Sequence, residues 1–77
     1  MPHVIVKLLP GRSEEQKTAL ANAIVADVTA IARCEADAVS VAFEEVSSED
    51  WTEKVYRPDI LGYPDRLYKK PGYDPLG

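Results

Sequence analysis

The pattern of apolar positions at the start of the chain predicts a β-strand. Residues 3–9 are apolar except for His3 and Lys7. Because successive side chains point to opposite faces of a strand, both faces of this one carry apolar residues. A strand of this kind is usually covered on both faces. The dipeptide Pro10-Gly11 then predicts a break in the strand.

A long helix is predicted next, over about residues 14–33. Ser13 and Gln16 have the spacing of a capping box, in which each side chain binds the backbone N–H of the other residue. Apolar residues then recur at intervals of three and four, with alanines beside them. They are Leu20, Ile24, Val28 and Ile31, flanked by Ala19, Ala23, Ala26 and Ala30. A face with so many alanines indicates close approach to a sheet.

A second strand is predicted over about residues 38–46. It alternates between Val39, Val41 and Phe43 on one face and Ser40, Ala42 and Glu44 on the other. A strand, a long helix and a strand form a β-α-β unit with parallel strands and a right-handed crossover. Two strands alone leave both edges of a sheet open. We therefore expect an α+β fold, a two-stranded parallel sheet packed by one long helix and completed by oligomerisation.

The rest of the chain is expected to form short helical pieces and turns over about residues 48–73. A helix-start signal, Ser-Ser-Glu-Asp, stands at residues 47–50. Pro58, Gly62 and Pro64 are expected to interrupt the helical segments that come after it.

The composition, with 45% hydrophobic and 29% charged residues, is typical of one small soluble domain, which we expect to span residues 1–77. A domain of this size buries only about 60% of the surface that its unfolded chain exposes, so its own core is marginal. One cysteine, Cys34, excludes an intramolecular disulfide, and together with the single histidine, His3, it supplies too few ligands for structural zinc. We therefore expect a partner subunit to support the fold, in a homodimer or in a hexamer.

The net charge narrows the class of partner. It is −4, from 9 Lys and Arg against 13 Asp and Glu. Nucleic-acid binders carry a basic footprint, so this balance argues against them. The sequence shows no apolar run long enough to span a bilayer and no secretory leader. We expect a cytoplasmic protein that does not bind membranes.

Pro2 is a candidate general base. Proline in the second position normally allows Met1 to be trimmed, which would leave the Pro2 nitrogen as a secondary amine. An α-amino group has a pKa of about 7.7–8.0, and burial or a nearby cation lowers the pKa of an amine toward neutrality. A base with a pKa near neutral can move protons. On its own, a proline in this position is more often an incidental neighbour of the start codon.

Three further residues are candidates for binding, and each has a commoner structural role. Arg12 lies after the first strand and could bind a carboxylate, although most loop arginines are simply solvated. Trp51, the only tryptophan, could wall an apolar pocket or fill a core. Ser40 places a hydroxyl on a strand face, where most serines bond only to backbone.

The combination of these features is more specific than its parts. A proline opens the first strand, and residues 11–17, Gly-Arg-Ser-Glu-Glu-Gln-Lys, open the helix. This arrangement resembles the 4-oxalocrotonate tautomerase family over residues 2 to about 51. The region around Trp51 and the ending at residues 67–73, Leu-Tyr-Lys-Lys-Pro-Gly-Tyr, resemble a longer branch of that family whose members form dimers.

The resemblance implies a role for each candidate residue. Pro2 matches the family's general base and acid, Arg12 the arginine that binds the substrate carboxylate, and Trp51 the aromatic that excludes water. Family members with a second arginine carry it where this chain has Ser40, which could contact the C2 oxygen of the substrate. A hydroxyl is a weaker donor to a developing charge than a guanidinium. We therefore expect a 2-oxo acid with one carboxylate, and with an aromatic end.

The favoured hypothesis is an enol–keto tautomerase that acts on a 2-oxo acid without metal or organic cofactor. An alternative from another class is a non-catalytic dimeric module that keeps the fold. A third interpretation, addition of water to an unsaturated acid, lacks an acidic residue evidently placed to activate the water. The mechanism requires removal of Met1, because a retained Met1 turns the Pro2 nitrogen into a tertiary amide, which is not a base.

Overall fold

The structure is a computed structural model that describes all residues, 1–77. The chain divides into two compact units, Met1–Glu45 and Val46–Gly77. The first contains the two strands and a long helix, and the second is built from helical segments and turns. The expectation that residues 1–77 form one domain stays a prediction. None of the helices combines the length and the apolar character needed to cross a membrane.

The first unit is a β-α-β motif. Strand β1 spans His3–Leu8, helix α1 spans Glu14–Ala32 and strand β2 spans Ser40–Glu45. The strands pair in parallel, with His3 opposite Ser40 at one end and Leu8 opposite Glu45 at the other. The predicted α+β fold, with a two-stranded parallel sheet and one long helix, is confirmed.

Helix α1 begins at the predicted capping box. The Ser13 hydroxyl accepts the N–H of Gln16 at 3.1 Å, and the Gln16 side chain accepts the N–H of Ser13 at 2.9 Å. The helix ends at Arg33, which has a left-handed backbone with φ of 57°. This conformation costs a residue with a Cβ about 1–2 kcal/mol, because the Cβ crowds the following carbonyl.

The first unit has no fully buried side chain, as its small size predicts. In the whole chain only Val55 and Tyr56 are buried, and both belong to the second unit. Ile5 of β1 is 47% exposed and Ile31 of α1 is 81% exposed. Such exposed apolar side chains are the kind of surface that a partner subunit would cover.

The second unit begins with one continuous helical stretch. Helix α2 spans Ser48–Trp51, with Ser47 as its N-cap, and a π-helical segment over Thr52–Leu61 continues it directly. The expectation that Pro58 interrupts the helix is wrong. A proline in an α-helix lacks an N–H and clashes with the carbonyl four residues earlier. The wider π register bonds each N–H to the fifth residue back and accommodates the ring.

Gly62 closes the π-helical segment. Its N–H donates to the carbonyl of Arg57 at 2.9 Å. A Cβ on this residue would lie only 2.5 Å from the carbonyl oxygen of Pro58. The backbone therefore approaches itself so closely here that a side chain at this position would force a local shift. A single turn of 3₁₀-helix comes next, at Pro64–Arg66.

Candidate active site

Pro2 lies immediately before β1, and the sheet fixes its backbone. Its carbonyl oxygen accepts a hydrogen bond from the N–H of Ser40 at 3.1 Å. Pro2 is partly buried, whereas Met1 is fully exposed. The nitrogen that removal of Met1 would free thus belongs to a residue tied directly to the start of β2.

Ser40 pairs with His3 across the sheet. The two residues are opposite each other in the strand register, and His3 Nδ1 lies 2.6 Å from Ser40 Oγ. Both side chains are exposed. The sequence pattern does not predict this pair, because it depends on which residue of β1 faces which residue of β2.

Arg12 comes after a turn that needs glycine. Gly11 has a φ of +128°, in the region that residues with a Cβ rarely adopt. The exposed Arg12 guanidinium donates one hydrogen bond, from Nη1 to the carbonyl oxygen of Leu9 at 3.3 Å. It has no carboxylate partner within the chain. Its remaining donors are available to an anion.

Pro2 and Arg12 lie at opposite ends of β1. Pro2 precedes the strand, and the Arg12 guanidinium is held at the Leu9 carbonyl, beyond the strand's last residue. An extended strand rises about 3.3 Å per residue, so the two groups are roughly 20 Å apart within one chain. The structure therefore does not bring these two predicted site residues together in a single copy.

Trp51 belongs to the second unit, at the end of α2. Its indole Nε1–H donates to the hydroxyl oxygen of Tyr73 at 2.9 Å. The Tyr73 ring also packs against Tyr56, with ring centroids 5.7 Å apart. Trp51 is partly buried, so it keeps some surface for a ligand. The C-terminal segment thus holds this aromatic in place.

Tyr56 is the buried residue beneath this arrangement, at 6% exposure. Its hydroxyl donates to Asp74 Oδ1 at 3.5 Å, and the same carboxylate oxygen accepts the N–H of Leu76 at 2.9 Å. Burial raises the pKa of the Tyr56 phenol, and the negative charge of Asp74 raises it further. Tyr56 therefore stays protonated and acts as a donor that fastens the chain near its C-terminus.

A separate cavity of about 290 Å³ opens along one side of α1. It is lined by Glu14, Lys17, Thr18, Ala21, Asn22 and Phe43. Lys17 is ion-paired with Glu14 at 2.9 Å and with Glu45 at 3.5 Å. The hydrogen bond to Glu14, with the charges of both carboxylates, raises the pKa of Lys17 although burial opposes it. None of the four predicted site residues lines this cavity. Its ion pairs are structural, since one lies within α1 and the other joins α1 to Glu45 of β2.

Comparison with known proteins places the chain among similar proteins of a single family. Residues 2–55 match a family model described as "Tautomerase enzyme". The chain belongs to the tautomerase family. It is similar to a protein named "Probable tautomerase" from Xylella fastidiosa (strain 9a5c), with 45% identity over 99% of this chain and 93% of that protein.

Several further relatives share one name. Proteins called "Tautomerase PptA" from Pectobacterium atrosepticum and from Enterobacter sp. (strain 638) are each 42% identical to this chain. Each match covers 95% of this chain and 97% of the relative. Since the similarity spans nearly the full length of both proteins, the predicted family is confirmed, and the chain is an isomerase of the tautomerase type.

Proposed function

We propose that the chain interconverts the enol and keto forms of a 2-oxo acid, with the amine of Pro2 as general base and acid once Met1 is gone. The observation that carries this proposal is the place of Pro2 at the start of β1, hydrogen-bonded to Ser40 at 3.1 Å. A base at the rigid end of a sheet keeps its position while a proton moves from one substrate atom to another. The reaction needs no metal or organic cofactor.

The proton balance is simple. The Pro2 nitrogen takes the proton from the enol hydroxyl, which leaves an enolate with negative charge shared between the C2 oxygen and C3. The same nitrogen then returns a proton to C3, which forms the ketone and restores the neutral amine. Ser40 would donate a hydrogen bond to the C2 oxygen, where charge develops.

Arg12 and Trp51 would bind the two ends of the substrate. The Arg12 guanidinium, with only one hydrogen bond to Leu9, can form a bidentate pair with the substrate carboxylate. Trp51 offers a rigid aromatic surface fastened by Tyr73. An apolar end of the substrate, an aromatic ring in our proposal, would pack against the indole.

We further propose that the working protein is a homodimer in which Arg12 of one copy serves Pro2 of the other. Because Pro2 and Arg12 are roughly 20 Å apart in one chain, a small 2-oxo acid cannot touch both. The open edges of the sheet and the exposed Ile5 are consistent with a second copy covering the first unit. We also propose a cytoplasmic setting, in which the single cysteine, Cys34, stays a free thiol.

Shared sites can be tested by mixing two inactive variants. Pro2→Ala chains keep Arg12, and Arg12→Ala chains keep Pro2. After denaturation and refolding together in equal amounts, random dimers would regain about one quarter of the wild-type activity, since half of them hold one intact site of two. Activity no higher than that of the separate variants would contradict shared sites.

The base is tested by a direct rate comparison. The enol of phenylpyruvate, a 2-oxo acid with one carboxylate and an aromatic end, loses its ultraviolet absorbance as the ketone forms. Pro2→Ala keeps a free N-terminal amine, a primary one, and is therefore a close control. We expect it to lower kcat by about 10²-fold or more, as loss of a positioned general base does. Equal rates for the two proteins would refute the proposal.

A further inference from the structure

The polar pair formed by His3 and Ser40 contains a side chain, the imidazole, that the proposed reaction does not use. Nδ1 of the imidazole and Oγ of the hydroxyl are 2.6 Å apart, a short hydrogen bond. Its direction decides what Ser40 can do. If Ser40 donates its proton to Nδ1, that proton is unavailable to any ligand. If Nδ1–H donates instead, the hydroxyl proton is free to point elsewhere.

We propose that His3 is a positioning residue whose Nδ1–H donates to Ser40 Oγ and so directs the Ser40 hydroxyl proton to the C2 oxygen of the substrate. This inference rests on the proposed function. A hydroxyl that accepts one hydrogen bond becomes a better donor in the next, because each bond polarises its neighbour. The imidazole thus strengthens a donor that is weak by itself, at the point where negative charge develops.

The location of the pair supports this role. Pro2 immediately precedes His3, and its carbonyl is bound to the backbone of Ser40, so the imidazole, the hydroxyl and the proton-transferring residue all meet at one end of the sheet. On the same face the next pair in the register is Ile5 with Ala42, which is apolar. Both His3 and Ser40 are exposed, which leaves room for a ligand oxygen beside the hydroxyl.

The charged groups nearest along this face lie farther away. Lys7 and Glu44 form the pair after Ile5 and Ala42, with Lys7 Nζ 3.8 Å from a Glu44 carboxylate oxygen. Four residues along a strand span about 13 Å. In β1 and β2 the imidazole is therefore the side chain that can set the direction of the Ser40 hydroxyl.

A merely structural role is the competing explanation, since cross-strand hydrogen bonds also stabilise sheets. A double-mutant cycle separates the two. We expect His3→Ala and Ser40→Ala each to lower kcat by about 10–100-fold, at or below the roughly 10²–10³-fold that loss of a fully formed oxyanion donor costs, because a lone hydroxyl is a weaker donor. Because His3 acts through Ser40, the double variant should be no slower than Ser40→Ala alone. Losses that multiply, or a His3→Ala protein with wild-type kcat, would overturn the inference.

A conservative variant tests the donor itself. In His3→Asn the side-chain amide nitrogen takes nearly the place of Nδ1 and can still donate to Ser40 Oγ. We expect this variant to recover most of the kcat that His3→Ala loses, when both are assayed under conditions where urea unfolding shows them fully folded. If a fully folded His3→Asn is as slow as a fully folded His3→Ala, the imidazole does not act as a donor to Ser40.

The direction of the hydrogen bond can also be measured without any substrate. The chain has one histidine, so nitrogen NMR of the imidazole reports only His3. We expect a proton on Nδ1 in the wild type and a shift of that nitrogen signal in Ser40→Ala. A neutral ring with its proton on Nε2 would overturn the inference whatever the enzyme's activity. A wild-type chain with no tautomerase activity, or a fully active Pro2→Ala, would instead refute the proposed function.

Discussion

Replacing Tyr73 by phenylalanine removes one oxygen atom from the contact that holds Trp51. In the structure this oxygen accepts the indole N–H at 2.9 Å, while the ring packs on Tyr56 at a centroid distance of 5.7 Å. Tyr73→Phe keeps the ring and loses the acceptor. The substitution therefore removes the hydrogen bond between Trp51 and Tyr73, which are 22 residues apart in the sequence, and keeps the packing of the ring.

The size of the effect follows from these contacts. A hydrogen bond between uncharged groups contributes about 0.5–1.5 kcal/mol to stability. Tyr73 is 47% exposed, so water can reach the freed indole N–H, and we expect the lower half of that range, about 0.5–1 kcal/mol. Tyr73→Ala also loses the ring pair, at about 0.5–1.5 kcal/mol, and the apolar burial of its half-covered ring. We expect about 2–4 kcal/mol for that variant.

Urea unfolding followed by tryptophan fluorescence measures the unfolding midpoint and the emission maximum of Trp51 in one experiment. The chain has one tryptophan, so the emission reports the surroundings of Trp51 itself. Protein concentration must be equal in all samples, since association changes apparent stability. Tyr68 provides the matched control, because it is fully exposed at 101%, and Tyr68→Phe should leave both the midpoint and the emission unchanged.

Two results would contradict the role of Tyr73 in holding Trp51. A Tyr73→Phe protein with the wild-type unfolding midpoint and the wild-type emission maximum would mean that the indole does not depend on Tyr73. Equal losses for Tyr73→Phe and Tyr73→Ala would mean that the ring contributes nothing through its packing on Tyr56.

Three further predictions concern the fold. Gly62→Ala should lower the free energy of unfolding by about 1–3 kcal/mol, because its Cβ would meet the Pro58 carbonyl oxygen at 2.5 Å; denaturant unfolding would show it, and an unchanged midpoint would contradict the close approach. Arg33→Gly should raise stability by about 1 kcal/mol, since glycine adopts a φ of 57° without strain; a lower thermal midpoint would oppose this. The hydrogen bond to Glu14 raises the pKa of Lys17 above its ordinary value of 10.5. The ion pairs of Lys17 therefore contribute fully to the free energy of unfolding at lower pH, and this contribution is lost as pH rises through the raised pKa. Unfolding midpoints should therefore fall at high pH in the wild type and less in Lys17→Met; parallel falls would contradict the ion pairs.

The β-α-β unit could be predicted from local pattern alone. Alternation in residues 3–9, helical spacing after Ser13 and a capping box with Gln16 each depend on neighbours a few residues apart, and the structure has all three. Helical pieces after the second strand were also signalled, by the cap at Ser47. Local rules were wrong at Pro58, because they assume the α-helical register and not the wider π register that admits a proline.

The candidate site was less predictable, for a physical reason. Their chemistry and a family resemblance point to the four site residues, but the partners of these residues come from long-range contacts. His3 meets Ser40 only through the register of the sheet, 37 residues apart, and Tyr73 meets Trp51 only because the C-terminal segment returns to α2. No periodicity encodes such contacts. The separation of Pro2 from Arg12, likewise, comes from the extended geometry of β1 and not from their motif.

One paired measurement tests whether the amine of Pro2 is the base. Intact mass and kcat for the enol of phenylpyruvate are determined on the same preparations, some purified as expressed and some treated with a methionine aminopeptidase. We expect kcat to rise in proportion to the fraction of chains lighter by one methionine. A uniformly full-length preparation that turns over the enol as fast as the trimmed protein would contradict it, because the Pro2 nitrogen is then an amide.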